Sequence, residues 1–211
     1  MSSRELILNK LRGGKRPFSP AQPDTYIPVS PVNTADVLPR FVREAELLSS
    51  KVYQPADLEE ALEMLLGIIG DDQQVLAWDD AELPLPNLAG ALAQANVAVS
   101  AHNDASVRVG ITGADAALAG TGTLVYVSGN GRYRATSLLP PVHVALINRS
   151  QIVPNLESWV ESQYGNDLQA FQHASNVVLI SGASRTADIA LELILGMHGP
   201  GEMHIFILPD V

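Results

Sequence analysis

The sequence predicts an α/β fold, an open and largely parallel sheet with helices on both faces, and two observations predict it. From residue 35 onward, short β-branched and aliphatic runs alternate with helix-patterned stretches, the arrangement that βαβ units produce. The chain is also long and apolar enough to bury a sizeable core. It has 211 residues, 46% of them hydrophobic and only 17% charged, unlike a disordered chain.

Taken in order, residues 3–12 read as a short amphipathic helix with Leu6, Ile7 and Leu11 on one side. Pro17, Pro20, Pro23, Pro28 and Pro31 follow. Each lacks an amide donor and fixes φ, so this stretch is neither a helix nor a central strand. Residues 1–33 are therefore expected to be a helix and Pro-rich arm. Two alternatives stand for it: an arm packed on the main domain or on another copy of the chain in a homo-oligomer, or a mobile tail. Residues 34–211 are expected to form a single α/β domain. In it, residues 35–49 are helical, residues 51–53 a strand, and residues 57–69 a helix whose Leu58, Ala61, Leu62, Leu65 and Leu66 make a core-facing stripe. A strand at 74–78, a helix at 87–95 and a strand at 97–99 come next. The second half is richer in strands, at 124–127, 142–147, 177–180 and 203–208. Helices are expected at 155–163, 166–173 and 187–196. A sheet of about six or seven strands fits this pattern.

Thirteen basic against twenty-three acidic side chains give a formal charge of −10. Such a chain repels nucleic acid and anionic membrane surfaces, and the short basic stretch Arg12–Arg16 does not overturn that. There is no cysteine, which excludes disulfides, thiolate zinc sites, thiol nucleophiles and a cysteine-held iron–sulfur cluster in this chain. The first residues have no apolar signal core, and no apolar run approaches the ~18–20 residues of a membrane helix. The expected location is the cytoplasm.

Three stretches carry more small and polar residues than packing requires. In the first, Gly110 to Thr123, glycines and threonines flank an alanine-rich segment read as a turn of helix, which Thr112 or Asp115 could cap. Its glycines either let backbone pack closely on backbone or, with Thr121, Gly122 and Thr123, build a ligand cradle of amides and hydroxyls. The pattern is neither a Walker loop nor a GxGxxG fingerprint. In the second, Ser128 to Arg134, the Asn130-Gly131 pair signals a hairpin, and Arg132 and Arg134 are candidates for holding a carboxylate or phosphate. The third is Ser181-Gly182-Ala183-Ser184-Arg185-Thr186-Ala187-Asp188, expected between a strand and a helix start, where free amides face an anion. Capping explains one of Ser184, Thr186 and Asp188, but not all three together with Arg185. The sharpest expectation puts Ser184, Arg185, Thr186 and Asp188 beside Thr121, Gly122 and Thr123 in one pocket, with Arg132 as a lid.

The histidines at 102, 143, 173, 198 and 204 lack metal-ligand spacing, and no metal is expected. His143, between Val142 and Val144, reads as a hydrogen-bonded sheet histidine. There is no Gly-x-Ser-x-Gly elbow, so a serine triad has no support.

Four blocks in order carry a family resemblance. They are Gly110-Ile-Thr-Gly-Ala-Asp-Ala-Ala-Leu-Ala through Thr121-Gly-Thr-Leu-Val, Ser137-Leu-Leu-Pro-Pro-Val-His143, Ile152-Val-Pro, and Ser181-Gly-Ala-Ser-Arg-Thr-Ala-Asp-Ile189 with Gly196-Met-His-Gly-Pro200. Together they resemble the lactate-utilization protein C or LUD-domain family over about residues 105–208; residues 35–100 share only the general α/β pattern. The resemblance implies a fold like the ribose-5-phosphate isomerase, glucosamine-6-phosphate deaminase and CoA-transferase group. It also implies a setting, conversion of L-lactate to pyruvate with cysteine-rich iron–sulfur partner proteins, for which a cysteine-free chain is the non-cluster component. Relatives often carry an acidic residue before the Thr/Ser-Gly-Thr motif, where this chain has Gly120. If that acid is catalytic, the activity is lost or relocated here.

Three functions therefore stand. The first is a component of a bacterial L-lactate utilization system that binds a small anionic metabolite, a cofactor or a partner. The second is a stand-alone enzyme or binder for a phosphorylated or CoA-linked metabolite. The third is a structural subunit whose loops grip a partner protein. Neither a catalytic residue nor a cofactor is named by the residues themselves.

Overall fold

The computed structural model describes residues 3–13, 36–164, 168–172, 174–187 and 193–210. The proline-rich stretch of the arm and Asp188 lie outside the described residues. The first helix is α1 (Ser3–Gly13). The next, α2 (Val37–Leu47), buries Phe41 and Ala45 and leads into β1 (Ser50–Tyr53). In α3 (Leu58–Ile69), Asp57 caps the start by accepting the Glu60 amide at 2.9 Å, and Ala61, Leu65 and Ile69 face the core at helical spacing. Then come β2 (Gln74–Ala77), α4 (Leu88–Gln94), β3 (Ala98–Val99) and β4 (Val109–Thr112).

With β7 (Val142–Asn148) and β12 (Glu202–Leu208), these strands make a six-stranded sheet in the order β1-β12-β7-β4-β2-β3. Every pairing in it is parallel. All four residues of β4 are buried, as are all of β7 except Asn148, as expected for strands covered on both faces. The expected α/β class, with a parallel sheet flanked by helices, is the observed one.

A second sheet was not foreseen. It consists of β5 (Ala116–Leu118), β6 (Thr123–Val127), β8 (Ile152–Val153) and β9 (Val177–Ile180), in the order β8-β5-β6-β9. Here β5 runs antiparallel to β6 and parallel to β8, and β6 runs antiparallel to β9. Side chains alternate across it. Ala117, Leu124 and Tyr126 join the main core, while Ala116, Leu118 and Val125 form a smaller cluster with Trp159 of α5 (Leu156–Tyr164). Behind this cluster lies α6 (Gln169–Gln172), whose Ala170 packs against it.

Two local expectations are corrected. The alanine-rich segment is the strand β5, not a turn of helix, because pairing with β6 and β8 outweighs alanine's helix preference. The expected helix at 187–196 is, among its described residues, a hairpin. β10 (Arg185–Ala187) pairs antiparallel with β11 (Leu193–Leu195), with Arg185 opposite Leu195, and Gly196 ends β11 at φ +77°. The pairing of β10 with β11 replaces the helix start that would have offered free amides. Residues 188–192 of that segment, and residues 165–167 and 173 near α6, lie outside the described residues.

Candidate functional site

The hairpin from β5 to β6 turns over residues 119–122. Gly122 takes φ +62° and donates its amide to Leu118 O at 2.9 Å, closing the turn. A Cβ at Gly122 would come within 2.4 Å of the Ala45 backbone nitrogen, so α2 presses directly on this turn. Gly182, at φ +80°, meets the same helix end: a Cβ there would lie 2.3 Å from Leu48 O. Both glycines are therefore required by close approach and by a left-handed backbone. The packing reading of these glycines has a concrete cause.

Register does the rest. Leu124 of β6 pairs with Ile180 of β9, so the neighbouring Thr123 and Ser181 meet just beyond. The Thr123 Oγ1 lies 2.8 Å from Ser181 Oγ and 2.8 Å from Thr121 Oγ1, a continuous run of three hydroxyls. They border a pocket of about 350 Å³ closed on another side by Asn155 and Glu157 at the start of α5. Asn155 Oδ1 accepts from the Ser158 amide at 2.9 Å and so caps α5, whose first residues Leu156 and Glu157 line the pocket. Among the described residues, Glu157 is the one titratable side chain in this lining. Asn155 and Glu157 escaped sequence reasoning; the turn-forming Pro154-Asn155 pair before a helical pattern was the available cue.

The other candidates lie elsewhere. Ser184 is tied by its backbone to Pro200 O and Gly196 N, and Thr186 pairs with Ile194 in the hairpin. Arg185 is exposed and donates to Ser49 Oγ at 2.8 Å, beyond the end of α2. The two loops thus adjoin through α2, and among the described residues of the second loop Ser181 alone joins Thr121 and Thr123 in the pocket lining. Arg132 is not a lid. It follows β6, at the strand end opposite Thr123, where Nε meets Glu82 Oε2 at 2.5 Å and Nη1 meets Asp115 Oδ1 at 2.6 Å. The guanidinium also sits 5.5 Å above the Trp78 ring. Burial opposes its charge, yet these two carboxylates outweigh burial and favour the protonated form. Asp115 further accepts the Val127 amide at 2.7 Å, so it ties the arginine to β6 and caps nothing.

In β7, beside Tyr126 of β6, stands His143, 1% exposed, its Nε2 2.9 Å from Thr112 Oγ1 and its ring 5.8 Å from that of Tyr126. Burial, aided by His204, lowers its pKa to about 4, so the ring is neutral near pH 7. Among the described residues, no group of three His, Cys, Asp or Glu side chains is arranged to hold a metal ion, and no helix is long and apolar enough to cross a membrane.

Comparison with known proteins adds family context to this geometry. The LUD domain matches residues 38–208. The chain is similar to a lactate utilization protein C of Halalkalibacterium halodurans, 30% identical over 98% of each chain. It is also similar to a lactate utilization protein C of Shouchella clausii, 30% identical over 76% of this chain and 72% of that one. A solved structure, a DUF162 family protein from Deinococcus radiodurans, superposes with a TM-score of 0.61 at 21% identity, covering 84% of this chain and 99% of the other. That likeness speaks to the fold.

Proposed function

The chain belongs to the LUD domain family, and from that premise we propose that it is the non-cluster component of a bacterial, cytoplasmic L-lactate utilization system. The names of its relatives support a role in lactate utilization. In the proposed scheme, cysteine-rich iron–sulfur partner proteins accept the electrons released as L-lactate becomes pyruvate. This chain has no cysteine with which to hold such a cluster. Its part is to bind the small hydroxyacid or its product.

The observation that carries this reading is the hydroxyl run Thr121–Thr123–Ser181 beside the start of α5. Three hydroxyls joined by two mutual bonds, with a long 3.4 Å contact from Thr123 Oγ1 to the Thr121 carbonyl beside them, can turn one O–H to a ligand when that contact is given up. The first-turn amides of α5 add donors and the positive end of a helix dipole, which suit a small carboxylate. Among the described residues no lysine or arginine lines the pocket, and Glu157 does. That balance favours a singly charged hydroxyacid over a phosphorylated or CoA-linked metabolite, whose larger charge needs cations.

Titration calorimetry with L-lactate, pyruvate and a sugar phosphate tests the assignment. L-lactate or pyruvate should bind, and Thr123→Val, which keeps the shape and removes the central hydroxyl, should weaken binding about 10-fold. Pyruvate should form from L-lactate only when the iron–sulfur partners are added. Equal binding by wild type and Thr123→Val would remove the hydroxyl pocket from the mechanism. Tight binding of the sugar phosphate alone would favour a stand-alone enzyme.

A further inference from the structure

A separate cleft of about 390 Å³ opens at the carboxyl ends of β2 and β3, within the size range of small-molecule sites. Its position follows from topology. After β2 the chain crosses through α4 to β3 on one side, whereas β4, on the other side of β2, leads away to the second sheet and β7. Connections that part in this way leave a crevice outside the strand ends, where open parallel sheets take ligands.

The floor is apolar and fixed. Leu83, Leu88 and Leu92 are 8%, 1% and 0% exposed. Trp78 is held on several sides: its indole N–H donates to Tyr133 O at 3.2 Å, Arg132 sits over the ring, and Tyr126 meets it edge-on at 6.0 Å. At the rim the His102 ring stacks on Tyr133 at 3.5 Å between centroids and 12° between planes, which keeps a flat surface upright beside the opening.

The polar groups of the lining set the sign of the ligand. Asp79 and Asp80 line the cleft, and among the described residues no lysine or arginine does. Asp80 Oδ1 is occupied by the Ala89 amide at 3.0 Å. Asp79 is exposed, and its carboxylate makes no hydrogen bond or ion pair among the described residues. The nearby Arg132 is turned away into its bonds with Glu82 and Asp115. We propose that this cleft is a second small-molecule site, taking a flat aromatic or heteroaromatic ring that bears an amidine, amine or similar N–H donor. The ring lies on the leucine floor between Trp78 and His102, and the donor pairs with Asp79.

Benzamidine and benzoate share ring size and differ in the sign of the substituent, so together they test the site on the full chain. Benzamidine should bind and change the Trp78 fluorescence, and benzoate should do neither. Asp79→Asn should weaken benzamidine at least about 10-fold, as loss of a charge-assisted bond requires, with an unchanged melting temperature. Ala89→Phe places a ring in the mouth from an exposed helix position and should abolish binding without touching the carboxylates. Benzoate binding as well as benzamidine, an Asp79→Asn variant of undiminished affinity, or no benzamidine binding at about ten millimolar, weaker than the usual range of specific small-ligand affinity, would each overturn the proposal. Lactate binding at Thr123 is a separate measurement, so either assignment can fail alone.

Discussion

The two ends of β6 hold their polar groups in opposite ways. At its start, Thr123 is bonded to neutral groups, the Thr121 and Ser181 hydroxyls and, at 3.4 Å, the Thr121 carbonyl, and the run borders a cavity. At its far end, Asp115 binds both the Val127 amide and Arg132, and Arg132 is completed by Glu82. The arginine that charge alone recommends as a ligand group is consumed by the fold, whereas the uncharged end keeps capacity for something from outside. Paired charge in a half-buried setting is first a structural element; spare hydrogen-bonding capacity beside a cavity is the better guide to binding.

The contrast can be broken at each end. The largest effect is expected at the start of β6, where backbone fit decides. Gly122→Ala demands both a left-handed alanine and space already held by Ala45, and should cost about 4 kcal/mol or more in urea denaturation. Next comes pH, through His143 of β7 against Tyr126. The buried ring stays neutral down to about pH 4, while the unfolded chain takes up the proton near 6.5. Stability is therefore full above pH 6.5, falls by roughly 3 kcal/mol between pH 6.5 and 4, and then levels off as far as this group is concerned. His143→Gln should flatten that part of a stability-against-pH curve. At the far end, Asp115→Ala strips the Val127 amide and half of the arginine's pairing, and should cost about 2 kcal/mol by thermal denaturation. The smallest effect belongs to Arg185→Ala. This exposed side chain holds one hydroxyl, and its loss should shift stability by no more than about 0.5 kcal/mol. A drop of several kcal/mol there would mean that the second loop depends on charge as the far end does.

The same contrast explains what was legible in the sequence. The long apolar strands such as β7 and β12, and helices with a full stripe such as α3, announce themselves because burial imposes their pattern over many residues. The three-residue β5 and the two-residue β8 carry too few residues for a period to show, and only their partners across the sheet define them. Residues 187–196 read as helix by composition, yet among the described residues Ala187 pairs with Leu193 in a hairpin. For the site, residue type picked out Thr121, Thr123 and Ser181, because small polar residues around glycines are unusual in so apolar a chain. Their grouping rests on the β6–β9 register, and Asn155 and Glu157 arrive by way of β8. Arg132 was singled out by charge, but its two carboxylates, Glu82 and Asp115, come from distant parts of the chain and show only in three dimensions.

The pressure of α2 on both glycine turns has a kinetic consequence. The turn at Gly122 and the turn at Gly182 rest on the same helix end with no room for a methyl group between. Neither can swing over a bound molecule unless α2 moves as well, and Phe41 and Ala45 anchor α2 with no exposed surface. Capture of the hydroxyacid proposed for the hydroxyl pocket would then be a single encounter without a closing step. In stopped-flow mixing, its observed rate should climb in a straight line with ligand concentration and show no plateau.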